Sequence, residues 1–323
     1  MGRYLLRRLA ASLLLLWLVV TVTFFLLHAA PGRPTELLGD FGSRALGAEQ
    51  REQIERIYGL DRPLPEQYVR WLGATLRGDF GTSFDQRRPA ATMVVEALPA
   101  TLLLALAATL VEYALSVPLA VWAVRRRGSA VDSTVRSVSL VFFSLPEFWL
   151  GVMAILLFTY VWPILPSSGM SSPGTDLTGW ARVADVARHL VLPATVLGVS
   201  AAGGSLRFLR NSLLDVMGQD YIRAARAKGL SERRVLTVHG LRNAAVPATQ
   251  ILALNLGALL NGALIVEVIF GWPGLGQVLI LAIRTNDYPV VLAATTLSAV
   301  VVLATNFAAD VAQAALDPRV RHR

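Results

Sequence analysis

The sequence predicts an all-α integral membrane protein, and three observations lead there. Of its 323 residues, 54% are hydrophobic and only 16% are charged, where soluble domains carry about a quarter. Six stretches are apolar enough, and at about 20 residues long enough, to cross a bilayer, with approximate ends at 9–29, 99–124, 137–162, 190–210, 246–270 and 289–309. The basic residues between these stretches fall on one side. With the N-terminus inside, the inner segments carry a net +12 and the outer ones −1, and Glu112, Glu147 and Glu267 within spans complete the total of +8. That bias predicts cytoplasmic termini.

The same composition excludes several classes of protein. So apolar a chain is neither disordered nor a soluble enzyme. It has no cysteine, which removes disulfides, thiolate metal centres and thiol nucleophiles. The basic balance of 29 Arg and one Lys is accounted for by topology, leaving no motive for a nucleic-acid partner. The one lysine, Lys228, stands between Ala227 and Gly229, so the chain has no phosphate-binding Gly-Lys-Ser/Thr loop. If ATP drives it, another chain hydrolyses the ATP.

Taken in order, the first span follows Arg3, Arg7 and Arg8 as a secretory signal would. Its apolar run exceeds a signal core of about 7–15 residues, so it reads as an uncleaved span. The external segment 30–98 places Ile54, Ile57 and Tyr58 on one helical face before Pro63 and Pro65 break the pattern, predicting a small helical cap. It is either a solvated loop with a short helix or a docking surface. In the second and third spans, Glu112 and Glu147 face a cost of roughly 2.5–3.5 kcal/mol in lipid, so each lines a polar path or bonds a neighbouring helix. The fourth span carries the small-residue run AAGGS at 201–205. The fifth holds small-xxx-small steps at Ala253–Gly257 and Ala258–Gly262, with Asn255, Asn261 and, near its outer end, Glu267. Such steps let helix backbones approach closely. Glu112, Glu147, Glu267 and Asn255 are the candidate translocation-path residues.

The basic segment 211–245 predicts a short helix through YIRAARAK, capped by Asp215 or Asp220 and ended by Gly229, with Ala224 and Ala225 exposed to fit a partner's groove. By itself, such a loop equally serves as a topology determinant. The four histidines, His28, His189, His239 and His322, show no metal-ligand spacing, and no nucleophile elbow or dinucleotide fingerprint occurs. No bound cofactor or metal, and no bond-making chemistry, is expected of this chain.

At this point whole stretches resemble one family. RYLLRRLAASL (3–13), PGRP (31–34), YGLDRPLPEQYVRWLGATLRGDFGTSF (58–84), LPATLLL (98–104), SLPEFWLG (144–151) and HLVLPA (189–194) occur in order. DYIRAARAKGLSERRV (220–235), HGLRNAAVP (239–247), VEVIFGWPGLG (266–276) and LDPRVR (316–321) follow. They are similar to the B-type permease subunit of oligopeptide/dipeptide and nickel ABC importers, among the binding-protein-dependent inner-membrane components. The superfamily pattern is Glu-Ala-Ala, three residues, Gly, nine residues and Ile-x-Leu-Pro. Ala224, Ala225, Gly229 and Leu241 match it, whereas Arg223, His239 and Arg242 depart from it.

The resemblance implies a six-helix, type I ABC-importer permease fold, divided into 1–29, an external domain 30–98 and a five-helix core 99–323. It implies that 211–245 holds the ATPase-coupling helix, with Tyr221, Arg223, Ala224, Ala225, Ala227, Lys228 and Gly229 as its contact residues. The implied partners are a homologous C-type permease, two ATPase subunits that hold the ATP and Mg, and an extracytoplasmic binding protein docking on 30–98 and 271–288. The implied setting is a bacterial or archaeal cytoplasmic membrane and its lipid. The expected function is ATP-driven peptide import by alternating access. Nickel or another small solute is the alternative cargo; a stand-alone secondary transporter and an integral-membrane enzyme are the rival readings.

Overall fold

The computed structural model describes residues 2–29, 61–244 and 263–316. The cap face of Ile54, Ile57 and Tyr58, the steps Ala253–Gly257 and Ala258–Gly262, and Asn255 and Asn261 lie outside these residues. Helices make up nearly all of the described chain. They are α1 (Gly2–Ala29), α2 (Leu64–Thr75), α3 (Ala90–Arg125), α4 (Ala130–Ser144), α5 (Glu147–Ile155), α6 (Gly179–Met217) and α7 (Asp220–Ala227). Then come α8 (Glu232–Arg234), α9 (263–269), α10 (Leu275–Arg284) and α11 (Tyr288–Leu316). α5 and α8 continue as π-helical turns over Leu156–Val161 and Val235–Leu241.

Four helices, α1, α3, α6 and α11, each have the length and apolar character of a membrane span. The predicted third span at 137–162 is different. It is two helices, α4 and α5 with its π-helical extension, set at 95° to each other. The cause is Pro146, which has no N–H to donate and forces the residue before it out of the helical region. Leu145 accordingly sits at φ −77° and ψ 133°. Glu147, expected well inside a continuous span, therefore opens a new helix, with its carboxylate where a helix N-terminus favours negative charge. Of the predicted fifth span, only α9 belongs to the described residues.

The described chain divides into two compact units. One comprises residues 9–101 and 273–303. There Phe24 stacks on Trp71 and His28, and Tyr68 meets it edge-on, while the Tyr68 and Thr21 hydroxyls hydrogen-bond at 2.7 Å. α2 thereby lies along α1. Pro63 and Pro65 stand at the start of α2, where a first-turn proline loses no hydrogen bond. The segment 271–288, expected on the outer side, contains the apolar helix α10. Ala90, Val94 and Ala97 of α3 pack with Leu275 and Ala282 of α10 and Val290 and Ala294 of α11. Buried Asp287 accepts hydrogen bonds from the Ser83 hydroxyl and from the Phe84 and Asp85 amides, fixing the turn before α3 to the start of α11.

The other unit comprises residues 1–8, 102–272 and 304–323, with α6 at its centre. At 39 residues and 1.5 Å per residue, α6 runs about 58 Å, well past the roughly 30 Å hydrocarbon layer. Two glycines let its neighbours touch backbone. A Cβ at Gly198 would lie 2.7 Å from the Ala108 carbonyl oxygen of α3, and one at Gly203 would lie 2.6 Å from the Ser139 oxygen of α4.

Gly203→Ala is therefore expected to lower the thermal midpoint of the detergent-purified chain by several degrees, since overpacking costs about 1–3 kcal/mol. Gly204→Ala, whose Cβ would meet only the Phe143 ring at 3.7 Å, should leave it nearly unchanged. Heating followed by size-exclusion chromatography compares the two.

Candidate coupling and translocation residues

α7 follows α6 after two residues, and its own sequence fixes how it sits. Ile222 and Ala225, three apart and so on one face, are buried with Val235 of the next helix, and Val216, Met217 and Leu230 pack around them. The C-terminal end is a Schellman turn. Gly229 adopts φ +79°, its amide donates to the Arg226 carbonyl, and the Leu230 amide donates to the Ala225 carbonyl. The expected stop at Gly229 is thus observed. The expected aspartate cap is not: Gln219 occupies the N-cap with no side-chain capping bond, while Asp220 lies within the first turn and pairs with Arg223.

The face directed away from the chain carries Tyr221, Arg223, Ala224, Ala227, Lys228 and Gly229, all exposed. Ala225 is a correction. Expected beside Ala224 on the outer face, it is only 7% exposed, because one helical step of 100° turns it onto the face of Ile222. The Arg226 guanidinium donates twice to Glu232, at 2.7 and 3.0 Å, bracing α7 against α8. That hydrogen-bonded pairing holds the Glu232 carboxyl below the usual carboxylate range.

The acids of the spans have distinct surroundings. Glu112 of α3 is fully buried and accepts a hydrogen bond from Ser205 of α6, while Ser116 one turn on donates to the Glu112 carbonyl at 2.6 Å. Glu267 is fully buried on α9, and Glu147 is half-buried at the elbow. Asn255 lies outside the described residues. Sequence reasoning missed Ser205, whose only signal was a hydroxyl within a run of small residues. It also missed the ion pair between Asp132 of α4 and Arg210 of α6, 78 positions apart.

The fold defines a class first. A chain of the MetNI methionine ABC transporter in an inward-facing conformation superposes with a TM-score of 0.55 over 70% of this chain and 96% of that one, at 20% identity. A second crystal form of it gives 0.52 at 19% identity. The fold is that of an ABC-importer permease. Residues 116–322 match the model for the binding-protein-dependent transport system inner membrane component, and residues 1–105 match the N-terminal model of such membrane components. The chain belongs to that family and is a multi-pass inner-membrane permease component. It is 37% identical to the oligopeptide transport system permease protein AppB of Bacillus subtilis, over 100% of both chains. It is 36% identical to the dipeptide transport system permease protein DppB of Escherichia coli, also over 100% of both. With the di/tripeptide permease protein DppB of Pseudomonas aeruginosa it shares 38% over 94% of both.

One expectation concerns pH. The Glu232 carboxyl is depressed in the folded chain, so its contribution is present above the unfolded value, about 4.3, and is lost as pH falls through the folded one. Both side chains are well exposed, which limits the pair to less than about 1 kcal/mol. Glu232→Gln should speed protease cleavage between α7 and α8 at neutral pH, and the difference from the unaltered chain should vanish in acid.

Proposed function

We propose that this chain is one of two membrane-spanning subunits of an ATP-driven importer of dipeptides and oligopeptides. The observation that carries the cargo is the full-length identity to permeases named for peptide transport. Family membership supports partnership with ATPase subunits and an extracytoplasmic binding protein. The second permease of the pair would be a homologous C-type chain, and ATP and Mg would be held in the ATPases. The excess of Arg at the inner segments supports cytoplasmic termini.

In this reading α7 is the coupling helix. Its apolar face is spent on holding it to α6, so Tyr221, Ala224 and Lys228, spaced along the opposite face, meet the ATPase. Small Ala224 permits close approach, while Arg223 and Lys228 offer charge at the rim. ATP binding draws the two coupling helices together and turns the permease pair outward to receive peptide; hydrolysis resets it. Glu147, at the elbow, is our choice among the acids for contact with a peptide amine. Glu112 instead fastens α3 to α6 through Ser205.

Ala224→Trp should abolish ATP-dependent uptake in proteoliposomes while membrane level and thermal midpoint stay unchanged, and normal uptake would remove α7 as the docking element. Glu147→Gln should raise the half-saturating peptide concentration several-fold, with Glu112→Gln affecting stability rather than affinity. Cargo is decided by co-reconstitution with the cognate binding protein. Uptake of labelled di- and oligopeptides supports the proposal, and uptake of nickel without peptide overturns the peptide assignment.

A further inference from the structure

Asp132 stands in the first turn of α4 and is almost fully buried, its side chain 3% exposed. Three elements converge on its carboxylate. Arg210 of α6 donates from Nε to Oδ1 and from Nη2 to Oδ2, both at 2.8 Å, as a two-pronged fork. The Gly128 amide, in the turn leaving α3, donates to Oδ2 at 3.1 Å. Arg136, one turn along α4, lies 3.8 Å from Oδ1 and is more than half exposed. Farther along the same helix pair, the Gly203 position of α6 meets the Ser139 backbone, and the Arg207 guanidinium covers the Phe143 ring at 4.6 Å.

These contacts run antiparallel up α4 and α6, from Asp132 near the α3 turn toward the elbow at Leu145–Pro146. The opposite end of the α6 contact lies seven residues before Met217, where α7's apolar cluster begins. Leu209 and Leu213 of α6 also pack with Leu236 beyond α7 and with Ala120 of α3. A displacement of α7 thus enters α6 at its last two turns. The Asp132–Arg210 fork is the directional contact there between α6 and the start of α4.

We infer that Asp132 and Arg210 form a positioning pair that makes α4 follow α6 when the coupling helix moves, so that the motion reaches the α4–α5 elbow. This rests on the importer reading. A buried ion pair is weak as a source of stability, and apolar replacement of both partners is often neutral, whereas removing one partner leaves a buried charge. A fork with fixed geometry instead defines position. Without it, α6 moves and α4 lags, so ATP is hydrolysed without matching transport.

The test reconstitutes the whole transporter with its binding protein and measures peptide uptake and ATP hydrolysis together. The double variant Asp132→Leu/Arg210→Met removes both charges without orphaning either. Arg210→Lys keeps the charge and loses the fork. We expect both to reach the membrane and to hydrolyse ATP within about twofold of the unaltered protein. Uptake per ATP should fall about tenfold in the double variant and severalfold in Arg210→Lys. A ratio equal to that of the unaltered protein in Arg210→Lys, or in a double variant that assembles, would overturn the inference. Should the unaltered protein itself show no ATP-dependent uptake with any peptide, the importer reading would fail first, and that result is distinct from the other two.

Discussion

Within a bilayer no water is present to satisfy a peptide group, so every N–H and C=O must find its partner inside the chain. The described architecture follows from that constraint. The spans are long helices, and irregular backbone gathers at turns. Several hydroxyls within and beside the spans obey the same rule by returning to their own helix. Thr23 donates to the Val19 carbonyl, Thr109 to Ala105, Ser116 to Glu112 and Ser144 to Leu140, each four residues back. The one sharp break among the described spans falls at Pro146, where the chain has given up a donor.

Because lipid is as apolar as leucine, burial of apolar area does little to hold spans together, and close packing and polar contacts do it instead. Gly198 and Gly203 serve the first purpose, allowing α3 and α4 to reach the backbone of α6. Glu112 with Ser205, and Asp132 with Arg210, serve the second. α6 is the common partner in all four contacts. Its length carries it beyond the membrane, and its last turns provide the platform for α7, so packing in the membrane and the exposed surface of α7 are linked by one element.

α7 shows how a segment of eight residues becomes a presented surface. An isolated helix of that length is marginal in water. Ile222 and Ala225 bury one face against α6 and α8, the Gly229 turn satisfies its terminal carbonyls, and Arg226 reaches Glu232. What remains outward, apart from Asp220 and Tyr221, is small or cationic. Family membership gives such a surface a use, and the docking assignment proposed for Tyr221, Ala224 and Lys228 depends on which residues tertiary packing leaves free.

The sequence by itself determined the class. Apolar run length, the placement of 29 arginines and one lysine and a full-length series of family-like segments were sufficient, because bilayer crossing and topology are set by local composition. The stop of α7 at Gly229 was legible for a similar reason, since a positive φ is a local demand. Other features belonged to tertiary structure alone. Whether Ala225 faced a partner or the chain depended on Val235 and Leu230 coming to meet it. Pro146 lay in plain view inside the predicted third span, yet the 95° angle it opens did not, because a proline breaks a helix without fixing the direction in which the next one leaves. Nothing local marks Asp132 as a partner of Arg210, which α6 brings to it across 78 positions. Pairings of that kind depend on which helices become neighbours, and no spacing within one segment encodes them.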